Sequence, residues 1–298
     1  MAERDAAGER QMPGPRGAET PDSQALERPR SPTPVVEGLS DDWLEAWYQP
    51  KIDLKRKCLA GAEAFAYLRH PDFGLLAPHE IERSAPQGMA LASKHALLAA
   101  LQSWPLFVGA GFNLSLTMKA RIAVLLELPL PALLARHRPR GGRWGGLIVH
   151  VSEDEIVRDV KLVRELAGRL STSAVRLAID NFGAGYSSLA SLRDIPFVEI
   201  RLDRSFVQDC ATDPANGAIC QTAIDLAHRF GSAAAAEGVQ SAADLQALMA
   251  MGCDFGQGEL IAPAMPQSQF LDLLREPVTK PRPPARSAPT SATIDRIA

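Results

Sequence analysis

A series of short apolar runs in this chain each ends in a residue that can hold a cation or handle a proton: Glu63, Asn113, His150, Asp180 with Asn181, Arg201 with Asp203, Glu237 and Gln257. A charged side chain directly after several apolar ones is costly inside a core, so convergence on one wet site is the economical account. Strand ends meet solvent, and a single polar residue there means little; the succession is what points to a shared site. Oxygen donors such as Glu63, Asn113, Asp180 and Glu237 suit hard cations, Mg²⁺ or Mn²⁺. The imidazole of His150 suits Zn²⁺, Ni²⁺ or Mn²⁺ better, and Glu63, His150 and Asp180 together could hold one such ion. The chain carries no Gly-rich Walker loop and no Ser-His-Asp elbow. The glycine-containing run Asn181–Leu189 has two readings. Its amides could hold an anion at a helix start, or it is an ordinary loop with a Ser cap.

The elements that must position these residues alternate in kind. Short β-rich runs cover Leu106–Phe112, Leu147–Val151, Val175–Ile179, Phe197–Leu202 and Ser232–Ala236. Helical patterns lie between them at Met89–Leu101, Ala120–Ala135, Ile156–Leu170, Ala218–Phe230 and Ala242–Met251. Such alternation predicts βαβ units and a mostly parallel sheet. The length of the body suits a (β/α)8 barrel of ~250 residues, whose strand C-termini converge on one mouth. The rival is a doubly wound open sheet, but no GxGxxG turn supports it.

Two tails frame this body. Residues 1–40 lack aromatics and, with residues 276–298, hold eleven of the 23 prolines. Such composition cannot bury enough apolar area to offset ordering entropy, which predicts disordered tails around one domain at 41–275. The whole chain has 298 residues, 46% hydrophobic and 22% charged, with a net charge of -3. That balance fills a core and leaves no basic footprint for duplex nucleic acid. The dense basic stretch, Arg136 to Arg143, reads as a solvated loop. Cys58, Cys210, Cys220 and Cys253 form no CxxC pair, which fits a reducing compartment. The N-terminus has no apolar h-region, and no run of ~18 apolar residues predicts a membrane span. The expectation is a cytoplasmic protein without membrane contact.

Several segments carry a family resemblance. Tyr48-Gln49-Pro50, Gly61-Ala62-Glu63-Ala64-Phe65, Arg69-His70-Pro71, Asp180–Leu189, Asp203–Val207, Ala236–Gln240 and Gly252–Gly258 resemble, in order and spacing, the EAL family of bacterial cyclic di-GMP phosphodiesterases. The likeness runs from about Trp43 to Leu274. It implies a modified (β/α)8 barrel with one antiparallel strand and two-metal hydrolysis of cyclic di-GMP to pGpG, with Mg²⁺ or Mn²⁺ as cofactor. In that scheme the cations lower the pKa of a bridging water and clamp the attacked phosphate. By resemblance Glu63, Glu237 and Arg201 take the catalytic positions, Arg201 in place of a lysine. Glu63, Asn113, His150, Asp180, Asn181 and Asp203 take the metal positions, and Gln49, Arg69 and Gln257 the ligand-binding ones. The region Asn181–Leu189 corresponds to a loop with dimer contacts in relatives, which implies a homodimer.

The departures from the family pattern decide the functional expectation. His150 and Asn181 stand where carboxylates are expected, Gln240 replaces a glutamate, Phe65 a leucine, and Tyr67 an arginine that contacts ligand phosphate. Nearby Arg69 is expected to compensate for that arginine only in part. A guanidinium stays protonated and cannot act as a base. Five metal-facing carboxylates become three, Glu63, Asp180 and Glu237. Two readings follow. One is a degenerate EAL protein that signals by binding cyclic di-GMP or through a regulatory protein partner. The other is an active phosphodiesterase, slow or shifted in metal preference.

Overall fold

The computed structural model describes residues 40–84, 88–137, 145–183 and 195–275. In chain order the elements are β1 (Leu44–Asp53), β2 (Cys58–His70), β3 (Gly74–Leu76), α1 (Pro78–Ser84), α2 (Met89–Gly109), β4 (Ser115–Lys119), α3 (Ile122–Glu127), α4 (Leu130–His137), β5 (Leu147–Ser152), α5 (Glu153–Arg158), α6 (Val160–Ser171), β6 (Val175–Phe182), β7 (Phe197–Leu202), α7 (Arg204–Val207), α8 (Pro214–Arg229), β8 (Ala233–Ala236), α9 (Ala242–Ala250), β9 (Phe255–Gly256), β10 (Met265–Pro266) and α10 (Gln267–Arg275). The Pro-rich tails, apart from Ser40, and positions 184–189 of the glycine-containing run lie outside the described residues.

Eight strands close into a barrel in the order β1-β2-β4-β5-β6-β7-β8-β9, and β9 pairs back to β1. β1 is antiparallel to both neighbours; the remaining barrel pairs are parallel. The reason lies in the short turn after β1. Asp53 Oδ1 accepts from the amides of Lys55 (3.0 Å) and Arg56 (2.8 Å), and Lys57 takes φ 55°. A connection that short can join only antiparallel strands, whereas the β2–β4, β4–β5, β5–β6, β7–β8 and β8–β9 connections each run through described helices. The predicted barrel is therefore correct, with its one reversed strand.

One predicted strand is not a strand. Leu106–Phe112 begins inside α2, which continues past Pro105 to Gly109, and the strand in this region is Ser115–Lys119. The apolar run serves the helix. Phe107 packs against Tyr48, Phe112 and Phe270 with ring centroids 4.8, 6.0 and 5.0 Å apart. These buried rings pin α2 and α10 onto the outside of β1, the kind of aromatic packing that dominates core energetics. Two predicted helices are split in two. Ala120–Ala135 breaks at Leu128–Pro129, because proline disfavours helix in the residue before it. Ile156–Leu170 breaks at Asp159, whose side chain accepts from the Leu162 amide and starts α6 anew.

The barrel interior alternates small and long side chains. Ala233 and Ala235 of β8 sit in register with Glu199 and Arg201 of β7, and Ala178 of β6 lies between His150 and Glu199. Alanine is a poor strand former, so its use here reflects the space that buried polar neighbours need.

Candidate functional site

At the C-terminal mouth one guanidinium organises the site. Arg201, 3% exposed, donates from Nε to Asp180 Oδ1 at 2.6 Å and from Nη1 to Glu63 Oε2. Its Nε also lies 3.1 Å from Glu237 Oε2. Glu63 lies within β2, whose residues continue to His70, Asp180 stands near the end of β6, and Glu237 follows β8 directly. A second cation joins from β4, where Lys119 Nζ lies 3.2 Å from Asp180 Oδ2. Gln257, just past β9, donates from Nε2 to Glu63 Oε2 (2.9 Å) and to Gln49 Oε1 (2.8 Å). Gln49 stands opposite Glu63 in the β1–β2 ladder and donates to the Ala262 carbonyl at 2.9 Å.

Backbone packing fixes the Glu237 and Gln257 ends together. The Gln257 amide donates to Ala236 O, and the Val239 amide donates to Gln257 O. Gly258 allows this approach, since a Cβ there would lie 2.2 Å from Val239 O. Gly238 has φ +75°, and a Cβ there would lie 2.8 Å from Arg204 Cβ.

The charges act on one another strongly. Burial alone would raise Asp180, but Arg201 and Lys119 outweigh it and hold the carboxyl well below its ordinary range. Burial would likewise lower Arg201 and Lys119, and the carboxylates around them raise both instead. Glu237 behaves oppositely. Burial, with repulsion from Asp180 and Glu63, pushes it up to about 7 against the pull of Arg201 and Lys119.

One layer below is a second cluster. Lys51 of β1 pairs with Glu199 of β7, both buried, and Lys51 Nζ lies 4.8 Å from the Phe255 ring centroid. His150 Nε2 lies 3.2 Å from Glu199 Oε1, off the line that a hydrogen bond needs. Burial would raise Glu199, yet Lys51 and His150 bring it down to about 2.

The structure thus separates residues that the sequence grouped. Of the six expected metal positions, Glu63 and Asp180 meet, joined by Arg201. His150 lies in the lower layer with Glu199. Asp203 caps α7, accepting from the Ser205 amide at 2.8 Å and the Ser205 hydroxyl at 2.6 Å. Asn181 takes φ 55° beside Asp180 and lines an outer cleft with Lys119. Asn113 is exposed in the turn before β4, at the opposite end from the mouth. The strand misplaced at Leu106–Phe112 explains that error: the residue ending the true strand is Lys119. Arg69 is tied to Glu45, with Nη2 to Oε2 at 3.0 Å, and does not join the cluster. Tyr67 stacks on Trp47 at 4.5 Å instead. The sequence reading missed Lys119, Lys51 and Glu199. The alternation in Ser115–Lys119 and the placement of Glu199 two residues before Arg201 were the available signals. Glu153, also unread, accepts from the Gly183 amide at 3.0 Å and secures the end of β6.

This donor set does not fit a pair of divalent cations. The paired oxygens of Glu63 and Asp180 already face Arg201 and Lys119, and two buried oxygens, Glu63 Oε1 and Asp180 Oδ2, lack a hydrogen-bond partner among the described residues, the second of them lying against Lys119 as an ion pair. Among those residues no three His, Cys, Asp or Glu side chains are arranged to hold one ion. No described helix is long and apolar enough to cross a membrane.

Comparison with known proteins agrees with the architecture. A family model described as EAL domain matches residues 35–264. Cyclic di-GMP phosphodiesterase RocR of Pseudomonas aeruginosa is 33% identical over 253 residues, covering 80% of this chain and 62% of RocR. Cyclic di-GMP phosphodiesterase PA2567 of the same organism is 31% identical over 252 residues, covering 76% of this chain and 39% of PA2567. The chain therefore spans less than two thirds of either relative. Among solved structures, the PaMucR phosphodiesterase in complex with c-di-GMP superposes with a TM-score of 0.70 at 28% identity, covering 77% of this chain and 94% of that one. With the reversed first strand, the mouth residues Glu63, Asp180 and Glu237 and a match over most of its length, the chain belongs to the EAL domain family.

Proposed function

We propose that this chain is an EAL-domain protein of bacterial cyclic di-GMP signalling that no longer hydrolyses the dinucleotide and acts by binding it or through protein contacts. The link to cyclic di-GMP comes from relatives such as RocR, whose name carries that activity. The observation that carries the loss of hydrolysis is the placement of Arg201 among Glu63, Asp180 and Glu237. Hydrolysis by the family scheme needs those oxygens for cations and an ionisable group beside the attacking water. Here a permanently charged guanidinium takes the oxygens and offers no base. Loss of a single catalytic group costs ~10²–10⁴ in rate. Several losses in one site do not multiply, but the expected remainder is negligible.

The test is chromatography of cyclic di-GMP incubated with purified protein and Mg²⁺ or Mn²⁺. No pGpG is expected. Accumulating pGpG that disappears in Glu63→Ala overturns the proposal in favour of an active, metal-shifted phosphodiesterase.

A further inference from the structure

Lys119 is the residue that neither composition nor motif brought forward, and its placement asks for a role. It ends β4 at the barrel mouth, where its side chain is 40% exposed. Among the described residues its close carboxylate partner is Asp180, at 3.2 Å. The contact is an ion pair and not an aligned hydrogen bond, so it leaves the ammonium's donors for other acceptors. Arg201 differs: it is 3% exposed and already faces Glu63, Asp180 and Glu237. One cation neutralises from within while the other reaches outward.

The charge balance of the mouth follows. With Glu237 ionised, Glu63, Asp180 and Glu237 bring three formal negative charges and Arg201 and Lys119 return two; with Glu237 protonated the two signs balance. Three uncompensated carboxylates would repel an anion, whereas a nearly neutral cluster fronted by an ammonium accepts one. Beside Lys119 opens a cleft of about 360 Å³, also lined by Arg121, Ser152, Arg158 and Asn181. Glu82, Asp154 and Glu155 line it too, and Glu155 is paired with Arg121 at 3.4 Å.

We infer that Arg201 and Lys119 act as tethered cations in place of a divalent pair, so that the mouth takes an anionic phosphodiester without metal, anchored by Lys119. This deepens the non-hydrolytic reading above and rests on it. A lysine suits the task because its compact ammonium on a flexible stem meets phosphate as a point charge.

Calorimetry tests the inference with two probes, cyclic di-GMP in EDTA and Mn²⁺ alone; the same samples are assayed for pGpG. We expect cyclic di-GMP to bind equally in EDTA and in Mn²⁺, and Mn²⁺ alone to give no stoichiometric binding. Lys119→Met should weaken the dinucleotide at least tenfold with an unchanged circular dichroism spectrum, and Lys119→Arg should restore most of it. Stoichiometric Mn²⁺ binding, dinucleotide binding only with Mn²⁺, no binding in either buffer, or full affinity in Lys119→Met each overturns the inference. All four leave the absence of hydrolysis standing. Formation of pGpG overturns that underlying reading instead.

Discussion

Arg201 is held by carboxylates that depend on it in turn. A buried ion pair gains attraction in a low dielectric but loses the hydration of both charges, so its net worth is small while its half-removal is expensive. Replacing Arg201 with methionine would leave Glu63 and Asp180, each 0% exposed, facing one another without the guanidinium. We expect Arg201→Met to lower unfolding free energy by ~3–5 kcal/mol, read from urea denaturation. A loss under ~1 kcal/mol would show that these carboxylates do not need it. The same residue shows how far the sequence could be read. Asp180 and Gln257 were legible as strand-end polar residues because a barrel sends every such end to one mouth, whereas Glu63, read as another strand end, lies within β2. The partnerships were not. Arg201 meets Asp180 across 21 positions and Glu63 across 138, and no local pattern reports such pairings.

At the scale of elements, the legible part was the alternation of strand and helix, and the illegible part was where a long apolar run changes role. Trp104, Phe107 and Phe112 all belong to the aromatic and apolar packing under α2, but a run following Pro105 reads as a new strand. That slip carried Asn113 to the wrong end of the barrel and hid Lys119. Element ends are also where a single methyl group tells most. A Cβ at Gly258 would lie 2.2 Å from Val239 O and 2.3 Å from its nitrogen, both backbone atoms that cannot swing aside. Gly258→Ala should therefore cost at least the ~1–3 kcal/mol typical of overpacking and loosen Gln257 from Glu63. Gly168, exposed within α6 with nothing near its Cβ position, makes the contrast. Gly168→Ala should stabilise by ~0.5–1 kcal/mol, because mid-helix glycine pays backbone entropy without a packing reason. Equal effects of the two substitutions on the urea midpoint would refute the close approach at the β8–β9 ends.

Across the whole molecule the buried charges set opposing responses to pH. Glu199 falls to about 2 from an ordinary 4.5, since Lys51 and His150 outweigh its burial. Its contribution to stability is present above 4.5 and is lost as pH falls from there toward 2. Asp180 acts in the same direction through Arg201 and Lys119. Glu237 is raised to about 7 by burial and by Asp180 and Glu63. Between 4.5 and 7 the folded protein keeps a proton there that the unfolded chain has released, so stability declines as pH rises through this window. Together they predict a stability that climbs from pH 2 to about 4.5 and falls again toward 7. Urea midpoints measured at intervals from pH 3 to pH 8 trace this profile. Glu237→Gln is neutral at every pH, so it should flatten the decline above 4.5 and leave the acid limb in place. A wild-type midpoint that instead rises from pH 5 to pH 8, with the glutamine variant following it, would mean that Glu237 is ionised throughout and that Arg201 and Lys119 dominate its field.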